Sequence, residues 1–172
     1  MAKETEQGLG TPLRFEADPE TKRKKGAYRP VFADVFTLPG ASPSKIEKVH
    51  LLVNPFAGKK RGRAVAAQVV ELVERAGIEI TVSYSAYSGH LVTMASALEV
   101  GDHDIIAVVG GDGSLSEAIT GRMLLNGKRT ETFAIVPAGT GNSQAHDLRL
   151  GTPEEAVEAM LNGRRQALDL AR

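Results

Sequence analysis

The chain has 172 residues, room for one ordinary domain, and its composition is 42% hydrophobic and 24% charged, which is typical of a globular protein. Lysine plus arginine equals aspartate plus glutamate, at 21 each, so no net charge draws the molecule to nucleic acid or to an anionic membrane. The absence of cysteine excludes disulfides, thiolate catalysis and cysteine-ligated zinc. Because no apolar run reaches the ~20 residues of a membrane span and no secretory signal is apparent, we expect a cytoplasmic protein.

The N-terminal segment differs in character from the rest of the chain. Residues 1–44 carry scattered glycine and proline with little periodicity, which predicts a flexible or extended arm ahead of a domain at 45–172. Within the arm, Val31–Leu38 has the apolar content of a short strand. The basic run Lys22–Lys25 is suited to contact with anionic lipid, but its acidic flanks favour a solvated linker. Peripheral membrane contact therefore stays open.

From residue 45 onward, strand and helix signals alternate along the chain. Apolar or alternating runs predict four strands, at Lys48–Val53, Ile78–Tyr84, Asp104–Gly111 and Thr132–Gly139. Amphipathic or capped segments predict four helices, at Arg63–Gly77, His90–Gly101, Ser114–Leu125 and Thr152–Gly163. Strands separated by helices imply right-handed crossovers, and hence an α/β domain with a doubly wound, three-layer, mostly parallel sheet.

The last of these helices carries the strongest local signals. Thr152 is a predicted N-cap, Pro153 occupies the first helical position, and Glu155 completes a capping box with the threonine. Asn162 and Gly163 then provide a stop.

Ligands of open parallel sheets bind beyond the carboxyl ends of the strands, and three unusual loops occupy those ends. They are NPFAGKKRG after the first strand, GGDGS after the third and PAGTGN after the fourth. We expect all three loops to converge on one edge of the sheet. The first loop lacks the GxxxxGK[ST] spacing of a Walker P-loop, so that family is set aside.

The glycines of GGDGS predict a phosphate cradle, because they permit close backbone approach and the following helix adds its positive N-terminal dipole. Asp112 is then placed to hold a metal ion that bridges the phosphates, or to orient the hydroxyl that attacks them. Since asparagine has the same shape, we expect Asp112→Asn to spare folding. The other loops supply further polar or cationic groups: Asn54, Lys59, Lys60, Arg61, Thr140 and Asn142.

The segments NPFAGKKRG, VVGGDGSLSEAITG and PAGTGN, in this order and at this spacing, resemble the catalytic domain of the diacylglycerol, sphingosine and ceramide kinase superfamily. The resemblance spans about residues 45–172. It implies a nucleotide-binding fold like those of 6-phosphofructokinase and NAD kinase, with ATP and Mg²⁺ as cofactors and a lipid alcohol as substrate. NPF followed by GK leans toward sphingoid-base and ceramide kinases, with diacylglycerol as the next acceptor.

The resemblance also implies site residues. Asn54, Pro55 and Phe56 would line the adenine pocket, and the hydroxyl of Ser85 would stand where the family often has a nucleotide-contacting threonine. The remaining implied residues surround the phosphates or come from the fourth-strand loop, with Glu117 in the first turn of its helix: Gly111, Asp112, Gly113, Ser114, Glu117, Thr140 and Asn142.

Asp112 matches the aspartate that is treated as the proton acceptor in sphingosine kinases. An aspartate of pKa ~3.9 is a weak base toward an alkanol, so positioning and charge are the more important roles. His90 and His146 are interpreted as surface or capping residues and Asp147 as a residue of helix or loop geometry, and His103 is assigned no role. The sequence does not identify the metal ligands.

In the family, a second, mostly β domain follows and supplies the lipid pocket and further acidic residues, whereas this sequence ends at RQALDLAR. We therefore expect the chain alone to be an incomplete, inactive kinase lobe. Two alternatives remain: an NAD kinase-like enzyme, which would share the GGDG element, and a non-catalytic nucleotide-binding or scaffold module that lacks the second domain.

Overall fold

The computed structural model describes residues 46–125, 131–162 and 165. The predicted arm at 1–44, with its candidate strand and basic run, lies outside these residues, as does the predicted stop at Gly163. Within the described part, none of the helices is both long and apolar enough to cross a membrane.

The described residues form a parallel four-stranded sheet in the order β2-β1-β3-β4. Its strands are β1 (Lys48–Val53), β2 (Glu79–Tyr84), β3 (Asp104–Gly110) and β4 (Thr132–Pro137). The central strands β1 and β3 are buried along almost their whole length, as expected where both faces of a sheet are covered. This arrangement confirms the predicted α/β class and the parallel sheet.

The helices of the described part are α1 (Ala57–Lys60), α2 (Gly62–Arg75), α3 (His90–Ser96), α4 (Asp112–Met123), α5 (Ser143–Asp147) and α6 (Pro153–Asn162). They form the outer two layers. On one face of the sheet α2 and α6 bury Val65, Val69 and Val157 against the odd-numbered side chains of β1. On the other face α3, α4 and α5 pack through Leu91, Leu115 and other apolar side chains.

Several boundaries differ from the sequence-based predictions. Helix α4 begins at Asp112, two residues before the predicted start, so the aspartate lies in the first helical turn rather than in a free loop. Helix α3 ends at Ser96 and not at Gly101, and the side chain of Arg122 donates to the carbonyl oxygens of Ala95 (3.0 Å) and Leu98 (2.8 Å) at that end. The short helices α1 and α5 were not predicted.

The capping box of α6 is confirmed. The Glu155 N–H donates to Thr152 Oγ1 at 3.1 Å, and Glu155 Oε2 accepts from the backbone N–H groups of Thr152 and Gly151. These bonds satisfy N–H groups at the helix start that have no intrahelical partner.

Candidate functional site

The three predicted loops converge at the carboxyl edge of the sheet. β1, β3 and β4 are neighbours there, and the segments that follow them enclose an open cleft of about 420 Å³. Polar and glycine-rich residues of all three segments line it: Asn54, Ala57, Gly58, Gly111, Asp112, Gly113, Ser114, Glu117, Gly139, Thr140 and Gly141. The expected convergence is therefore confirmed.

The backbones of the three segments approach each other closely, and this explains the glycines. A Cβ at Gly58 would overlap the carbonyl oxygen of Ala138, and a Cβ at Gly139 would come within 2.8 Å of the Gly111 Cα. Gly58 also has a φ of +54°, in the left-handed region. Side chains at these positions would fill the space between the loops, so the glycines shape the cleft.

The carboxylate of Asp112 joins two of the loops. Oδ2 accepts the backbone N–H of Ser143 at 2.9 Å, and Oδ1 accepts that of Gln144 at 3.0 Å. The N–H of Gln144, followed by that of Ser143, holds the pKa of Asp112 below its ordinary value of 3.8. Asp112 thus lines the cleft as a carboxylate while it caps the first turn of α5.

Asn54 connects the first loop to the start of α4. Its Nδ2 donates to Ser114 Oγ at 3.2 Å, and its Oδ1 accepts the backbone N–H of Phe56 at 3.0 Å. Ser114 is buried, so its hydroxyl is fixed beneath the cleft rather than exposed at its mouth. Both side chains belong to the predicted set and lie together.

A second cavity, of about 220 Å³, adjoins the cleft. Asn54 and Glu117 line both spaces, which makes them the boundary between the two. The smaller cavity is otherwise lined by Phe56, Ser85, Tyr87, Ser88 and Leu91. Predicted Phe56 and Ser85 thus lie at one end of the site, and the predicted GGDGS residues lie at the other.

Glu117 is the sixth residue of α4, so it lies in the second turn and not in the first turn as predicted. Its Oε1 accepts the backbone N–H of Gly89 at 3.0 Å, which ties α4 to the loop that precedes α3. The shift follows from the earlier start of α4 at Asp112.

Two predicted residues line neither cavity. Pro55 is buried below the first loop. Asn142 donates its amide N–H to the carbonyl oxygen of Gly139 at 2.9 Å, and its Oδ1 is buried without a hydrogen-bond partner. Asn142 therefore shapes the fourth-strand loop, whereas Thr140 of the same loop is exposed and lines the cleft.

The first loop has an unusual backbone. Lys59 and Lys60 both have positive φ, at 61° and 68°, and follow Gly58 in the same left-handed region. Such conformations cost roughly 1–2 kcal/mol for each residue that is not glycine. The turn places the exposed Lys59, Lys60 and Arg61 directly after Gly58, beside the cleft.

The donor set of the cleft fits a polyphosphate better than a metal held by protein alone. Glycine backbone and the α4 N-terminus face the space, as an anion requires. Among the described residues no three acidic or histidine side chains come together as metal ligands. Mg²⁺ commonly takes one or two carboxylates plus substrate phosphates and waters, and among the described residues Asp112 and Glu117 are the carboxylates that line the cleft.

Sequence reasoning missed some contributors to the site region. Tyr87 lines the smaller cavity, but a lone tyrosine after a strand gave no signal. His90 accepts the backbone N–H of Ala86 through Nδ1 at 3.0 Å, so its side chain fixes the loop before α3 and does not cap the helix. Asp147 lies at the end of α5, as expected for a residue of structural geometry.

Comparisons with known proteins point to the same family as the sequence motifs. The model of the diacylglycerol kinase catalytic domain matches residues 48–172. Sphingosine kinase B of Dictyostelium discoideum is 31% identical in an alignment of 139 positions that covers 78% of this chain and 18% of that protein. Sphingosine kinase 1 of Arabidopsis thaliana is 31% identical over 83% of this chain and 31% of its own length. Diacylglycerol kinase of Bacillus subtilis is 27% identical over 73% of this chain and 41% of its own length.

The fold comparison gives the same answer. Three solved structures of a diacylglycerol kinase from Bacillus anthracis superpose with TM-scores of 0.56 to 0.59, at 27% identity, over 69% of this chain and 40% to 43% of their own length. The chain spans less than half the length of these relatives. Because the family model covers most of the sequence, from the first strand of the sheet onward, the chain belongs to the diacylglycerol kinase catalytic domain family.

Proposed function

We propose that this chain is the nucleotide-binding lobe of an ATP-dependent lipid kinase, which transfers the γ-phosphoryl group of ATP to a lipid hydroxyl with Mg²⁺. The observation that carries the proposal is the convergence of three loops on one cleft lined by glycine backbone, Asp112 and Thr140. Membership of the family supports the phosphotransfer class. Residues 45–172 form this lobe in the proposal, and residues 1–44 form its arm.

The proposed nucleotide pose follows from the two adjoining cavities. The phosphates would lie in the cleft against Gly111–Ser114, where the backbone and the N-terminal dipole of α4 favour an anion. The base would lie toward Phe56 and Ser85 in the smaller cavity. Asn54 and Glu117, which line both spaces, would contact the part of the nucleotide that links base and phosphates.

We assign Asp112 to positioning and charge rather than to general-base chemistry. Two backbone N–H groups lower the pKa of its carboxyl group, which makes the carboxylate a still weaker base than an ordinary aspartate. A loose phosphoryl transition state needs alignment and charge neutralisation more than it needs proton removal. The carboxylate would therefore help to hold Mg²⁺ on the phosphates or orient the attacking hydroxyl.

The acceptor is proposed to be a sphingoid base or ceramide, with diacylglycerol as the second candidate. The NPF and GK elements of the first loop support the first assignment, and two of the compared relatives are named sphingosine kinases. Other relatives are named diacylglycerol kinases, which keeps the second candidate open. Kinase assays with each lipid, on the longest protein that contains this chain, would distinguish the two acceptors.

The nucleotide part of the proposal is tested by calorimetric titration of this chain with ATP and with ADP, each with and without Mg²⁺. We expect binding that Mg²⁺ strengthens. Absence of heat at millimolar nucleotide would contradict the proposal and favour a scaffold module. An NAD kinase-like activity, for which the family assignment gives no support, would appear as NAD phosphorylation by a longer protein that contains this chain.

A further inference from the structure

Two aromatic residues that line the smaller cavity are largely exposed to solvent. Phe56 is 61% exposed and Tyr87 is 62% exposed, and both line the cavity. They come from separate segments, since Phe56 follows β1 and Tyr87 lies between β2 and α3. Large apolar rings exposed at a cavity are typical of a surface that a flat ligand covers.

The ring of Tyr87 is held from behind. It stacks on the imidazole of His90 with 4.5 Å between ring centroids and 15° between planes. His90 is itself fixed, because its Nδ1 accepts the backbone N–H of Ala86 at 3.0 Å. One face of the phenol ring therefore lies against the imidazole, while the residue stays largely exposed and lines the cavity. A ring already held in place loses little conformational entropy when a ligand stacks on it.

The position of this cavity limits the chemistry of its ligand. It opens past Asn54 and Glu117 into the cleft where glycine backbone and a helix N-terminus favour an anion. A molecule that fills both spaces therefore needs a flat ring at one end and an anionic chain at the other. Nucleoside di- and triphosphates have this construction.

We propose that Tyr87, backed by His90, is the platform on which the nucleobase stacks, in the cavity that Phe56 also lines. The inference rests on the proposed nucleotide-binding function and adds a positioning residue to it. Every base presents a π-face, so this platform recognises a ring more than a base identity. Selectivity for adenine would then depend on polar groups such as the buried hydroxyl of Ser85.

The test compares two ligands on four forms of the full chain. Calorimetry with Mg²⁺ measures ADP, which carries the base, and inorganic tripolyphosphate, which does not. The forms are the unmodified chain, Tyr87→Ala, Tyr87→Phe and Tyr84→Ala. Tyr84 is the matched control, because it is an exposed tyrosine that lines neither cavity and lies under the guanidinium of Arg63 at 4.4 Å.

We expect Tyr87→Ala to weaken ADP binding by roughly 5- to 100-fold, the range for loss of one base–aromatic stack, and to leave tripolyphosphate binding unchanged. Tyr87→Phe keeps the ring and should retain ADP affinity, as should Tyr84→Ala. Equal ADP affinity in Tyr87→Ala and the unmodified chain would overturn the platform, and so would an equal loss for both ligands. If the unmodified chain binds neither ligand, the proposed function itself fails.

Discussion

Asp112 holds two segments of the chain together, and this makes it sensitive to acid. Each carboxylate oxygen accepts one backbone N–H, from Ser143 and Gln144, and these bonds lower its pKa below 3.8. A depressed folded-state pKa contributes stability above the unfolded-state pKa, and that stability is lost as the pH falls through the folded-state value. Stability from Asp112 is therefore present at neutral pH and disappears below 3.8.

We predict that Asp112→Asn lowers the melting temperature at neutral pH and flattens the decline in stability below 3.8. Asparagine offers one acceptor oxygen and directs an amide N–H at the second backbone donor, so the two bonds cannot both persist. This prediction differs from the one made from the sequence, that the substitution spares folding, because the bonds to Ser143 and Gln144 are seen only in the structure. Thermal unfolding of both proteins across the acidic range provides the measurement.

Asp104 serves as an internal reference for that experiment. Burial raises its pKa, but the N–H of Gly101 and the side chain of His50 outweigh this and lower the pKa overall. Because Asp104 is present in both proteins, the difference between their pH profiles reports Asp112 alone. Identical profiles would contradict the capping role.

At the scale of elements, Arg122 of α4 connects the end of α3 to Glu131, the residue that precedes β4. Its guanidinium donates to Glu131 Oε1 at 2.7 Å and to the carbonyl oxygens of Ala95 and Leu98. The side chains of Arg122 and Glu131 are only 6% and 11% exposed. Removal of the Arg122 side chain would break this nearly buried ion pair and take the donor from both carbonyl oxygens.

We predict that Arg122→Ala reduces the free energy of unfolding by about 3–5 kcal/mol, as expected for a broken buried ion pair. The control is Arg75→Ala, which removes an exposed pair with Glu71 in α2 and should cost no more than about 0.5 kcal/mol. Urea unfolding of the two variants gives the comparison. Similar losses in both would show that the Arg122 network contributes little.

Some side-chain contacts of these helices could be predicted from the sequence, and others could not. The capping box of α6 was predictable because Thr152 and Glu155 are three residues apart and act within one turn. The role of Asp112 as a cap of α5 was not predictable, since its hydrogen-bond partners lie 31 and 32 residues away along the chain. The buried position of Arg122 was not predictable either, because a charged residue in a helix is ordinarily expected to face solvent.

At the scale of the whole molecule, the parallel sheet determines where the site forms. Adjacent parallel strands β1, β3 and β4 bring their following segments to one edge, so three motifs dispersed from Asn54 to Asn142 become neighbours. Alternating strand and helix patterns were enough to predict this. The left-handed turn at Gly58–Lys60 was not predictable, because lysine carries no preference for positive φ.

Close packing of the loop backbones at this edge leads to a prediction about Gly58. A Cβ there would overlap the carbonyl oxygen of Ala138 and would also sit at a φ of +54°. Gly77 provides a matched control, since its φ is +74° but nothing lies within 4 Å of an added Cβ. Gly77→Ala should therefore cost only the conformational penalty of roughly 1–2 kcal/mol.

We predict that Gly58→Ala destabilises the chain more than Gly77→Ala and also weakens binding of Mg·ADP, because the first loop must move away from the fourth-strand loop to make room. Gly77→Ala should retain nucleotide affinity, since Gly77 lies between α2 and β2 and lines neither cavity. Thermal unfolding with calorimetric titration separates the two effects. If both variants lose equal stability and bind ADP equally well, the contact between these loops does not shape the cleft.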